Sequence, residues 1–162
     1  MNKFRRKCGG QVTAELMLIL PVFMLMVFFV LEYGNIAYHT IIANHASYEF
    51  ARIGSLVAVK KPSGRPDRTV ITQKINQAKQ KVFGTKAAGI GVNVKVETTG
   101  TDPMYRRHRH EDVIVTVTYP VRLMFPGTSY VLASEPRREG VRRIQAVTRM
   151  PIEKAYQSSD TK

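Results

Sequence analysis

Two groups of residues have the types and spacing for chemistry. The first is His108, His110 and Asp112 in YRRHRHED at 105–112, three potential metal ligands within five residues. Arg109 stands between the two histidines and opposes a cation, and no other histidine is near in sequence. The stretch therefore reads as a solvated loop between strands. The second group centres on Glu15, a carboxylate at the entrance to an apolar run from Leu16 to Leu31. Charge at such a border is costly against lipid and normally has a partner.

That partner becomes available if the chain is cut between Gly10 and Gln11. The cut creates an α-amino group on Gln11 with an ordinary pKa of ~7.7–8.0. Gln11 and Glu15 are four residues apart, about one helical turn. A neighbouring subunit shifted by that distance presents its amine to this carboxylate, and a desolvated pair of this kind fixes register. The same cut removes Lys3, Arg5, Arg6 and Lys7, the cations that hold the N-terminus at one membrane face.

These residues need a helix to carry them. Leu16–Leu31 holds no charged or hydrogen-bonding side chain, and as a helix it spans roughly 24 Å against a hydrocarbon layer of ~30 Å. It crosses with local thinning or with help from its flanks. Pro21 is tolerated near the start of a membrane helix. Four basic residues precede the run and the next Lys or Arg is Arg52, which predicts a cytoplasmic N-terminus and an exported chain beyond about residue 33. A secretory signal fits less well, because the run exceeds the usual ~7–15 residues, has an acidic entrance and lacks an A-x-A site after it. The alternative is an uncleaved single-pass anchor bearing a basic extracytoplasmic binding domain.

GGQVTAE, the apolar helix and EYGN together resemble the prepilin-peptidase site and N-terminal helix of type IV pilin-like proteins, and more narrowly the TadE/TadF-type pseudopilins of the tight-adherence (Flp pilus) machinery. The likeness continues through Pro21, through Glu32, Tyr33 and Gly34 at the exit, and through ANHASYEFARIGS with its Ala51–Arg52 pair. DVIVTVTYP at 112–120 is similar to a late strand of that family. Leu16 in place of an aromatic argues against a major Flp pilin, and Gln11 in place of Phe points away from type IVa pilins. The resemblance implies processing after Gly10 and assembly through Gln11 and Glu15. It implies partners in a prepilin peptidase, other pilin subunits, an inner-membrane assembly platform and membrane lipid. It also implies a bacterial inner-membrane location, with the head periplasmic or extracellular and the subunit taken into a pilus.

The residues predict four segments, a leader at 1–10, a transmembrane helix at 11–33, a helical stalk at 34–59 and a head at 60–162. In the stalk, Tyr38, Ile42, Ala46, Phe50, Ile53 and Val57 recur at helical spacing as one stripe, with Asn35, His39, Asn44, Ser47 and Glu49 facing elsewhere. KKPSGRPD at 60–67 forces a turn. A second helix is expected over 68–83, capped by Asp67 and closed by Gly84, with Ile71, Ile75, Ala78 and Val82 inward. Ile90–Val96, Val113–Tyr119 and 141–150 alternate with the period of a strand, and Pro120 limits pairing after the second. The fold expected is α+β, with two helices and a small antiparallel three-stranded sheet.

Other functions find little support. Lys and Arg number 25 against 12 Asp and Glu, a net +13, of which +9 remains after the first ten residues (21 minus 12). The basic runs at 106–109 and 137–143 lack the interleaved aromatics of a nucleic-acid groove, so no specific nucleic acid is expected. Cys8 is the only cysteine, which excludes an internal disulfide and a Cys-built metal site. His39 and His45, six apart on a helix, lie on different faces and form no ligand pair. With no catalytic triad spacing, phosphate loop or paired-carboxylate pattern, neither an enzyme nor a cofactor is expected.

Overall fold

The computed structural model describes residues 8–58, 67–101 and 109–152. Helix α1 runs without interruption over Cys8–Val57, with Pro21 inside it. Helix α2 follows at Arg68–Phe83, then a 3-10 turn at Gly84–Gly89, strand β1 at Gly91–Thr101 and strand β2 at Arg109–Arg122. A short helix α3, Thr128–Leu132, and a 3-10 turn, Arg137–Glu139, precede strand β3 at Val141–Pro151. The sheet order is β1-β2-β3. The chain is α+β, with a three-stranded antiparallel sheet. The turn expected at 60–67 and the frayed end YQSSDTK lie almost wholly outside the described residues.

Two compact units are formed. The first combines α1 up to Tyr38 with Val121–Arg142, and the second holds His39–Pro120 and the chain from Arg143 onward.

In the second unit the alternation of the strands sets the core. Val94 on β1 and Val113, Val115 and Val117 on β2 are buried with Ile71 and Ile75 of α2 and Phe50 of α1. Pairing places Gly91 opposite Thr118 and Val96 opposite Val113, with an irregularity between Thr98 and Gly100 where one residue is accommodated. Pro120 lies beyond the β1-paired register, so its missing N–H interrupts no bond to β1. Arg149 on β3 ties the solvent side together, 2.8 Å from Asp112 on β2 and 3.5 Å from Glu97 on β1.

Helix α2 has the expected ends. The Asp67 side chain accepts from the Thr69 N–H at 3.0 Å, and Gly84 closes the helix at φ 54°. Its inward stripe is shorter than expected, because Val82 is 61% exposed and Phe83 takes its place, edge-on to Phe50 at 6.3 Å.

The stalk face is also rotated from the expected stripe. Tyr38 is exposed, Ile42, Ile53 and Val57 lie at the margin, and the buried face is Ala43, Ala46, Ser47, Phe50, Ala51, Gly54, Ser55 and Ala58. Small residues let helix and sheet approach closely. A Cβ on Gly54 would stand 3.0 Å from Val113 and 3.4 Å from both Ile71 and Ile75. The two serines on this face are buried because each has a partner, Ser47 with Thr148 at 2.7 Å and Ser55 with the Pro151 carbonyl at 2.8 Å.

Candidate assembly helix and its exit

The residues singled out for processing and assembly occupy the first turns of α1. The Gly10–Gln11 bond lies within the helix, which is described from Cys8 onward, and the first seven leader residues lie outside the described residues. Gly10 is exposed, and a Cβ built on it would meet nothing within 4 Å. Packing within the chain therefore does not require glycine there. Glu15 is exposed one turn further on.

From Leu16 through Pro21 to Met26 every side chain is exposed, and Leu31 closes the apolar run at 51% exposure. None of the most apolar window of α1 is buried within the chain, although the helix is long and apolar enough to cross a membrane. A soluble core helix of this composition would be covered. An N-terminal membrane anchor accounts for this surface.

The run ends at a second carboxylate, which sequence reasoning treated only as part of an exit motif. Glu32 is wholly buried in the first unit. Its Oε2 accepts the backbone N–H groups of Met124 and Phe125, each at 3.0 Å, and its Oε1 accepts from Asn35 Nδ2 at 3.2 Å. The Thr128 hydroxyl lies 3.3 Å from Oε2 and 2.7 Å from the Phe125 carbonyl, sharing one proton between them. A carboxylate is a pure acceptor, and all of these contacts offer donors. Gly127, at φ 83°, supplies the left-handed turn that brings Thr128 back toward the two amides. One helical turn before Glu32, Phe28 stacks on Phe125 with centroids 5.4 Å apart and planes at 14°. The signals in the sequence were a second acid closing the apolar run and FPGT as a turn. What joins them is separated by more than ninety residues.

His39, in the second unit, departs from the expected polar surface position. It is partly buried and stacks on Tyr119 at 5.3 Å, while Tyr119 packs on Phe83 at 5.9 Å. Burial, and then the positive charge of Lys86, push the imidazole below its ordinary pKa. Between that lowered value and ~6.5 the unfolded chain binds more protons than the folded one, so stability falls with acidification across this window. Above it, no dependence from this group remains. His39→Gln should flatten that part of a melting-temperature against pH profile, and an unchanged slope would remove His39 as its source. His45, by contrast, is exposed as expected.

The histidine-rich stretch gives no metal centre among the described residues. His108 lies outside them, His110 is in β2, and Asp112 is committed to Arg149. The expectation of a loop is corrected from Arg109 onward, where the chain is already strand and pairs with Thr101.

The family model described as TadE-like protein matches residues 10–52. The chain carries a TadE-like segment. That segment starts at the glycine before the expected cut and includes Gln11, Glu15, the apolar run and Glu32. No curated protein and no solved structure matches the chain.

Proposed function

We propose that this chain is a non-enzymatic minor pilin or pseudopilin of a tight-adherence (Flp-type) system. A prepilin peptidase cuts after Gly10, and residues 11–33 hold the product in the inner membrane until assembly. The N-terminus faces the cytoplasm and the C-terminal region the periplasm or exterior. Gln11 then offers its α-amine to Glu15 of a neighbouring subunit, and the helices pack through the apolar surface that the isolated chain leaves uncovered. Fibre initiation, extension or adhesion follows from that packing, with other pilin subunits and an inner-membrane assembly platform as partners and no cofactor.

The single observation that carries this reading is the position of the TadE-like match, which begins at Gly10 and covers the acid and the apolar helix in the order that processing and assembly need. Its test is fractionation of the native host with and without the peptidase. The chain should be found with sheared fibres or pilin-containing complexes only where the peptidase is present. Its restriction to the membrane in both strains, as a lone species, would favour the uncleaved anchored protein with a basic binding domain.

A further inference from the structure

The run from Leu16 to Leu31 alone spans roughly 24 Å, a little under the ~30 Å layer, so its flanks must help it cross, and the residue just past its far end is an acid. The structure places a cover over that acid. Met124, Phe125 and Thr128 satisfy Glu32 Oε2 and Asn35 satisfies Oε1, so the charge that should stop the helix at the lipid border is sealed inside protein. The outer side of the same β2–β3 connection is apolar, with Met124 and Tyr130 each 78% exposed and Val131 63% exposed. Phe125 stacks on Phe28, which lies inside the apolar run, so the connection reaches the depth of the run's last turn.

We infer that the β2–β3 connection is a second membrane contact, an interfacial foot that completes the hydrophobic length of α1 in the leaflet at its exit. This rests on the reading of residues 11–33 as membrane-spanning. Met124, Tyr130 and Val131 enter the headgroup and upper acyl region, while Tyr33, exposed on α1 beside Glu32, takes the border position that tyrosine favours. Exposed Arg122, Arg137, Arg138 and Arg142 against Glu135 and Glu139 give residues 121–142 a net +2 (four minus two), which suits anionic headgroups. The basic turn is held beside the apolar side chains. Leu123 donates to the Gly140 carbonyl at 2.9 Å, and Arg142 reaches the Leu132 carbonyl at 3.3 Å. Glu32 is thus a positioning residue for lipid contact.

The chain contains no tryptophan, so single-tryptophan variants report one site each. Full-length Phe23→Trp, Met124→Trp, Tyr130→Trp and Gln77→Trp would be reconstituted in phosphatidylethanolamine/phosphatidylglycerol vesicles with acyl chains brominated at defined depths. Phe23→Trp should be quenched by deep bromines, and Met124→Trp and Tyr130→Trp should be blue-shifted and quenched most by shallow ones. Gln77→Trp, on the exposed side of α2, should respond only to aqueous acrylamide. Adding Glu32→Ala should return the Tyr130→Trp signal toward water while Phe23→Trp stays quenched. Quenching at Phe23→Trp with water-exposed probes at 124 and 130 would overturn the foot and leave the span intact. Probes shielded from acrylamide yet unaffected by bromine would assign this face to a neighbouring subunit and also overturn it. Loss of quenching at Phe23→Trp would defeat the membrane span itself.

Discussion

Replacing Glu32 with alanine should speed hydrogen exchange at the Met124 and Phe125 amides by about ten- to a hundredfold, in the full chain held in detergent. Each N–H loses a bond to a charged acceptor, of the kind worth about 1.5–3 kcal/mol, and alanine offers no oxygen in return. The effect should be concentrated at 123–128, because the core of the second unit draws on other residues, from Phe50 to Val117. Glu32→Gln should fall between, since its carbonyl can still accept from the two amides but without charge. Exchange at Met124 and Phe125 that does not change in Glu32→Ala would show that the loop is held by something other than this carboxylate.

The other large effect is expected at Glu15. Glu15→Ala should leave membrane insertion intact, since it only lengthens the apolar surface, yet reduce recovery in fibres or pilin complexes by on the order of tenfold or more. Truncating one partner of a charge pair that assembly desolvates leaves the other buried and uncompensated. The pair exists only between processed subunits, so the same substitution in an unprocessed chain should change nothing further. Normal incorporation of Glu15→Ala would remove the carboxylate from assembly.

These two acids show what could be read from the sequence. Glu15 stood out because its neighbours in the chain are its context: a glycine pair before it and sixteen apolar residues after it. Helix α2 was legible for the same reason, its cap at Asp67 and its stop at Gly84 being local. The strands followed from alternation, and Val94, Val113, Val115 and Val117 are buried as that alternation requires. The role of Glu32 was not legible, because its donors come from Met124, Phe125 and Thr128 and nothing near Glu32 in the chain announces them. The stalk face failed for a related reason. Helical spacing of large side chains picks out Tyr38 and Ile42 rather than Ser47 and Gly54, but close approach of the sheet selects small residues and gives the serine a partner in Thr148. The 3-10 turn at Gly84–Gly89 has no periodic signal at all.

Processing after Gly10 is the claim on which the assembly chemistry depends, because without it Gln11 has no α-amine. Intact mass of the chain purified from its native host, with and without the prepilin peptidase, tests it most directly. The account predicts a chain starting at Gln11, or at its cyclised form, in the first case and one retaining residues 1–10 in the second. Retention of residues 1–10 in both would contradict it.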